Sequence, residues 1–501
     1  VKRNLHLGLA ALILLLTCDG EAAASPAQQE LPLRSAEPVD AIVADLESFI
    51  PQYMREERVP GLAIALIYDG QVVWTEGFGV ANTITRRPVT PDTAFGVASN
   101  SKVVTAYIAL RLVDQGRLSL NEPLNAYLMD PWLPASEYRD AITLRHVLSH
   151  TSGLGHSTTS RESLFAPGRG YSYSAIGFQY LQAVIEEVTG QSLEDVAQEM
   201  VFQPLGMSSS SFVVGADHQS HTANGHVHAV VPVLTFAILY VVSTVMVGLL
   251  GLPILRIRAG RWRPTRRMAI SVLLVAFVVS LVPTFVLFRS AGLPEFAWLL
   301  VLAGLALAVA FTLAFFVGRV VIRRLWPRRR GLQRRRPQIA LTIIWSGLVA
   351  IGLVLGAGKI SNLPVPRPSR VRADAAGTLR ATASDMATFL IELSDPQHLS
   401  AETAAQLQTS QVKLSSDMSW GLGPGIQHSR QGDALWQWGQ HLHFQSVMII
   451  YPDHGFGVVV CTNNDLLNPD VAIEIAGRAL GGKIEPIRRA SHLQFNYRET
   501  S

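Results

Sequence analysis

The sequence predicts an α+β fold interrupted by four membrane-spanning helices. Three observations carry this. A β-hairpin signal followed by several helical patterns opens the globular region. The composition turns apolar near Val230 and stays so for about four helix lengths. Soluble, β-rich patterning then resumes and runs towards the C-terminus.

The first residues, Lys2-Arg3 followed by the apolar run Leu5–Leu16, have the charge-then-apolar order of an export leader or N-terminal anchor over residues 1–24. Ala22-Ala23-Ala24 offers a small-residue cleavage site, and Leu15-Leu16-Thr17-Cys18 loosely matches a lipoprotein box. Cleavage, lipidation and retention all stay open. Residues 25–38 read as a linker rich in Ala, Pro, Gln and Glu. Cys18 and Cys461 are the only cysteines, so no internal disulfide framework is expected.

A first globular part, 39–229, begins with helical spacing over Val39–Glu57. The β-rich runs Gly61–Tyr68 and Gln71–Phe78 flank Asp69-Gly70, a strong hairpin signal. Helical patterns follow at Lys102–Gln115, Arg145–Ser149, Ile176–Thr189 and Leu193–Val201.

Residues 230–358 hold four apolar segments: Val230–Leu255, Met268–Phe288, Phe296–Val317 and Ile339–Gly358. Each is close to the ~20 residues that span a bilayer, and none contains a charged residue. Soluble helices of that length carry a polar face, so buried soluble helices explain these segments poorly. With 49% hydrophobic residues and mean hydropathy +0.25, the whole chain is apolar for a soluble enzyme. The net charge of +4 comes largely from arginines packed around the first loop (Arg256–Arg267) and the third (Arg319–Arg336), while the second holds only Arg289. Such runs invite a nucleic-acid reading. Their place between apolar segments fits a topology signal instead and gives no nucleic-acid partner. The positive-inside rule puts the first and third loops in the cytoplasm and both flanks of the block outside. The expected location is the bacterial cytoplasmic membrane, multi-pass, with the globular parts on the periplasmic or extracellular side and the lipid bilayer as a partner.

A Pro-rich linker, 359–374, leads into a second globular part, 375–484. It has a helix near Ser384–Ser394, β-rich runs Leu435–Trp438, Ser446–Tyr451 and Gly455–Cys461, and a closing helix Val471–Leu480. The tail, 485–501, carries no signal.

Four stretches carry chemistry. Ser99-Asn100-Ser101-Lys102 heads an apolar helical run. Residues three apart on a helix share a face, so the Lys102 amine can meet the Ser99 hydroxyl. A serine hydroxyl needs a neighbouring base to act as nucleophile, and a lysine desolvated in a cleft can lose its proton near neutral pH. Ile142–Leu154 ends in His150-Thr151-Ser152-Gly153-Leu154, where His150 reads as a loop tie rather than a catalyst. Pro167–Phe178 holds Tyr173-Ser174-Ala175. Trp436–Ser446 holds Trp438-Gly439-Gln440-His441 on a strand-like run.

Together these stretches resemble the serine β-lactamase and penicillin-binding-protein superfamily, in particular its class C-like, D-alanyl-D-alanine carboxypeptidase and esterase branch. The resemblance covers Val39–Met207 and Ala375–Gly482, so the apolar block sits between two halves of one catalytic domain. It implies an antiparallel sheet flanked by helices, with a helical subdomain. It also implies an acyl-enzyme mechanism with Ser99 as nucleophile, Lys102 and Tyr173 moving protons, and no metal or organic cofactor. The substrate it implies is a small molecule or a cell-wall peptide: an ester, a D-amino-acid peptide or a β-lactam. Two departures stand out. Ala175 replaces the Asn of the family's Tyr-x-Asn segment, and no Lys-Thr-Gly is present. Both weaken recognition of an amide or of a substrate carboxylate and favour an esterase or narrow peptidase over a true β-lactamase. In the last stretch two registers are open: Gly439 takes the motif glycine place, or His441 replaces the motif cation. In either, an N–H near Gln440 pairs with that of Ser99 as an oxyanion hole.

Two other readings remain. A catalytically weak sensor or scaffold for cell-wall or β-lactam ligands is motivated by the altered motifs. A transporter built on the four spans is opposed by their lack of ionisable residues. His218, His221, His226 and His228, before the first span, lack a carboxylate or Cys to complete a metal set and read as a solvated loop.

Overall fold

In the computed structural model the described residues are 32–156, 161–213, 221–227, 362–365, 371–441, 443–464, 470–482, 484, 486–489 and 498–499. The four apolar segments, the leader and half of each linker lie outside them. Among the described residues no helix is long and apolar enough to cross a membrane.

Helix α1 (Val39–Glu56) leads into the hairpin β1 (Gly61–Tyr68) and β2 (Gln71–Gly79). Asp69 (φ 50°) and Gly70 (φ 70°) both take the left-handed conformation that a tight hairpin turn demands. After β3 (Phe95–Gly96) come α2 (Asn100–Asp114), α3 (Leu144–Leu148), β4 (Gly170–Tyr171), α4 (Ala175–Thr189) and α5 (Leu193–Ala197). α2 starts two residues ahead of the periodic run, because Ser99 itself forms the N-cap. α5 passes into a wider turn over Gln198–Phe202.

Beyond β5 (His226–Val227), β6 (Leu363–Pro364) and β7 (Arg380–Ala381), the second part supplies α6 (Ala383–Ser394), α7 (Ala401–Gln408), β8 (Val412–Ser415), β9 (Met418–Trp420) and β10 (Gly425–Gln427). It continues with β11 (Ala434–His441), β12 (Phe444–Tyr451), β13 (Phe456–Thr462), α8 (Val471–Leu480) and β14 (Arg498–Glu499). α7 and β8–β10 were not expected.

The central sheet has eight strands in the order β2-β1-β13-β12-β11-β10-β9-β8. All its pairs are antiparallel. The first part thus gives two strands and the second six, joined where β1 pairs β13 from Leu62↔Thr462 to Ile67↔Gly457. Side chains alternate between two cores, as the two-residue strand period requires. Ala63, Ala65, Ile67, Met448, Ile450, Val459 and Cys461 face the helical side with α2, α4 and α6. Leu62, Ile64, Leu66, Val447, Ile449, Val458 and Val460 face α1 and α8. A sheet covered on both faces explains why these strands read as near-continuous apolar runs rather than alternating ones.

Residues of both expected linkers make contacts with the globular parts. Arg34, expected in a linker, bonds Asp45 at 2.8 Å and the Arg478 carbonyl at 2.9 Å, which fastens the chain entry to α1 and α8. β6 pairs with β5, Val227 opposite Leu363 and His226 opposite Pro364, so the chain leaves for the apolar block and returns from it at one place. His226 is fully buried rather than solvated. It accepts the Thr83 N–H at 3.2 Å, and burial pulls its pKa down to about 4. His221 is exposed, while His218 and His228 lie outside the described residues. In the tail, β14 pairs with β4.

Candidate active site

The site forms where the first turn of α2 meets β11. Ala98 sits at φ 50°, a strained conformation for a residue with a Cβ, and turns the chain so that Ser99 starts the helix half-buried. Surrounding bonds hold this turn. Ser446 Oγ donates to the Val97 carbonyl at 2.8 Å and accepts from Asn100 Nδ2 at 2.8 Å. Ser101 Oγ donates to the Ala98 carbonyl at 2.6 Å and accepts the Leu379 N–H at 3.1 Å. The N–H groups of Asn100, Ser101 and Lys102 go to the carbonyls of Val97, Ala98 and Ser99. The Ser99 N–H therefore remains as the donor at this helix end.

Lys102, one turn on, is 2% exposed. Its Nζ donates to Ser99 Oγ at 3.0 Å and to the Ala376 carbonyl at 2.7 Å. Burial brings its pKa down to about 7, against a smaller upward pull from Asp374. At neutral pH a substantial fraction of this amine is thus unprotonated and able to accept a proton. Asp374 also builds the turn that bears Ala376. It accepts the Ala376 N–H at 2.8 Å and Gln179 Nε2 at 2.8 Å, while Gln182 of α4 clamps Ala373 and Ala375. This turn begins before the boundary expected at 375, so the site takes residues from the segment read as linker.

Tyr173 is 1% exposed, and the Lys102 ammonium nitrogen stands 4.9 Å from its ring centroid. Burial raises its pKa, which keeps the phenol protonated, against the opposing pull of its hydrogen bonds with Ser99 and Gln437. Its ring packs on His150 with centroids 4.3 Å apart. His150 accepts the Ser174 N–H at Nδ1 (3.0 Å), and its own carbonyl takes the Ser172 N–H, which ties the segment bearing Tyr173 in place. Burial holds the His150 pKa well below the ordinary imidazole value. Ala175, at the first turn of α4, offers no side-chain hydrogen bond.

On β11 the residues facing α2 are Gln437, Gly439 and His441, two apart. A Cβ at Gly439 would lie 2.2 Å from the Val97 carbonyl oxygen and 3.0 Å from the Ser99 nitrogen, so only glycine lets this strand approach Ser99 so closely. Gln440 follows it on the strand. His441 Nε2 lies 2.6 Å from the Gly377 carbonyl. The residue on this strand that reaches the cluster is Gln437, whose Nε2 donates to Tyr173 Oη at 3.0 Å. Sequence reasoning passed over it. Its signal was a lone amide in the middle of a buried strand, where an unpaired polar group is costly. Among the described residues no group of three or more His, Cys, Asp or Glu side chains could hold a metal ion.

Fold and site together set a hydrogen-bonded serine–lysine pair against an antiparallel sheet. The Beta-lactamase family profile matches residues 46–245 and 323–483, and the chain belongs to that family of serine hydrolases. The interval between the two matched stretches falls within the apolar block. Over 210 residues the chain is 31% identical to Esterase EstB of Burkholderia gladioli, a match that covers 34% of this chain and 52% of that protein. It is 30% identical over 202 residues to Unguisins hydrolase ungD' of Aspergillus campestris, covering 35% of this chain and 37% of the relative. The chain thus spans about half the length, or less, of these relatives. The fold is shared with the octameric penicillin-binding protein homologue from Pyrococcus abyssi at a TM-score of 0.54 and 19% identity, over 90% of this chain and 77% of that one.

Proposed function

We propose that the protein is a membrane-anchored serine hydrolase that works through an acyl-enzyme on Ser99. The observation that carries this reading is the 3.0 Å bond between Lys102 Nζ and Ser99 Oγ, with the amine buried and its pKa near 7. Ser99 Oγ attacks the substrate carbonyl and passes its proton to the neutral Lys102 amine. The tetrahedral oxygen sits between the N–H groups of Ser99 and Gln440, donors fixed before the charge develops. Tyr173 gives its phenolic proton to the leaving group and regains one from Lys102. Water then attacks the acyl-enzyme, its proton returns through the same groups, and Ser99 is released. The substrate is an ester, a D-amino-acid peptide or a β-lactam, and Ala175 together with the neutral Gln437 favours the first. Similarity to a relative named as an esterase supports the same choice.

Anchoring rests on the four uncharged apolar segments, on the arginines that flank them and on the pairing of Val227 with Leu363, which returns the chain to its starting side. The site then faces the periplasmic or extracellular space.

Labelling of isolated membranes with a fluorophosphonate and with a fluorescent penicillin, beside Ser99→Ala, tests the reading. A band of the full chain that disappears in Ser99→Ala is the expected result, with the fluorophosphonate preferred. A folded wild-type protein labelled by neither probe would overturn it in favour of a sensor or scaffold. Label found only in the soluble fraction would overturn the anchoring.

A further inference from the structure

We propose that Gln437 is a positioning residue that aims the Tyr173 proton at the reacting oxygen and restricts the site to uncharged carboxylic esters. The inference rests on the serine hydrolase reading and names its substrate class.

The orientation of the Gln437 amide is fixed by its surroundings. Its nitrogen donates to the Trp438 carbonyl at 3.0 Å, and a carbonyl can only accept. The same nitrogen donates to Tyr173 Oη at 3.0 Å. Tyr173 is therefore the acceptor in that pair, and its own O–H must point elsewhere. The neighbour at hand is Ser99: Lys102 Nζ stands 3.0 Å from its Oγ and 4.9 Å from the Tyr173 ring centroid. A buried amide thus sets which way a phenol points, as a second residue sets the tautomer of a catalytic imidazole. Gln437 has no exposed surface, and its Oε1 has no hydrogen-bond partner. An apolar side chain would pack this position without an orphaned oxygen, so the amide is kept at a cost to stability.

The same amide sets specificity. Gln437 reaches Tyr173 without a charge, and the Lys102 amine, neutral in the active form, is already engaged by Ser99 and Ala376. Arg380, whose charge is felt at His441, lies over the Phe444 ring at 5.4 Å. A substrate carboxylate beside Tyr173 would meet neutral groups and lose its hydration without a counter-ion. An uncharged ester loses no such hydration.

The test uses the full chain in detergent, with p-nitrophenyl butyrate as the neutral ester and nitrocefin as the carboxylate-bearing substrate. The wild type should favour the ester in kcat/KM by about 100-fold or more. Gln437→Leu and Gln437→Met should lower kcat on the ester by roughly 10- to 100-fold with KM changed less than about threefold, since only the proton transfer is disturbed. Gln437→Lys should restore part of that kcat and move the preference towards nitrocefin by about tenfold or more. Tryptophan fluorescence melts identify the folded variants, Trp436 and Trp438 being the neighbours of the altered residue. A wild-type preference for nitrocefin overturns the proposal even if no variant folds. So does any folded Leu or Met variant that keeps its kcat within twofold. Wild-type turnover with either outcome leaves the serine hydrolase reading standing. Loss of that reading shows separately, as wild-type hydrolysis of neither substrate that depends on Ser99, and it removes this inference too.

Discussion

Lys102→Met is expected to abolish turnover and to make the protein more stable. Loss of a positioned base removes about 10²–10⁴ in rate. The stability gain follows from the same burial that makes the amine useful. An unfolded lysine titrates near 10.5 and this one near 7, a difference equivalent to about 4–5 kcal/mol. Between those values the unfolded chain binds more protons than the folded one, so wild-type stability rises with pH across that window. At and below pH 7 the full penalty is present, and above about 10.5 it has gone. Methionine fills similar volume without a charge and leaves the Ala376 carbonyl short of one donor, an offset of about 1–3 kcal/mol. The variant should therefore melt above the wild type at pH 7, with the gap closing as pH approaches 10. Thermal unfolding of both proteins in detergent at pH 7 and 9.5 checks this. A gap that stays constant or widens with pH contradicts it. Wild-type kcat/KM for ester hydrolysis should rise through pH 7 and then level, the deprotonated amine being the active form.

Gly439→Val should be nearly as damaging to catalysis while destabilising the fold. A Cβ there collides with the Val97 carbonyl, with Ser446 Oγ at 2.7 Å and with the Ser99 nitrogen. Relief requires β11 to withdraw from α2, which moves the Gln440 N–H away from the oxyanion and disturbs the serine. A displaced donor costs about 10²–10³ in kcat, and overpacking of this kind costs about 1–3 kcal/mol. Steady-state kinetics and thermal melts of Gly439→Val beside Gly439→Ala check both. Wild-type kcat in either variant would mean that the strand does not approach the nucleophile as described.

What the sequence disclosed, and what it withheld, follows from where each signal is carried. Ser99 and Lys102 were legible because helical spacing alone puts them on one face, and the structure brings them within a hydrogen bond. The hairpin was legible because Asp-Gly fits one turn geometry. Strand β11 was half legible. Its apolar start was read, but its last three residues are Gly, Gln and His, which carry no apolar signal, and Gln437 was passed over inside the run. β9 and β10 are short and separated by Gly421, Gly423 and Pro424, which read locally as loop. Asp374 and the Ala376 carbonyl were hidden for another reason: a backbone oxygen has no residue type to betray it, and the segment around it is coloured by the prolines just before. Residues 33–38 looked like linker by composition, yet Arg34 gains partners distant in sequence on α1 and α8.

The meeting of Val227 with Leu363 turns the intervening chain, however it is built, into a single closed loop from the standpoint of the sheet. Loop-closure entropy grows only logarithmically, about 0.6 kcal/mol for each doubling of length. The catalytic fold is therefore almost indifferent to how much sequence hangs from that ladder, provided that the two ends return together. A segment four helices long and a turn of a few residues differ, for the eight strands, by a few kcal/mol in closure and by nothing in register. An active-site domain with such a seam can acquire or lose its attachment to a surface without revising its core.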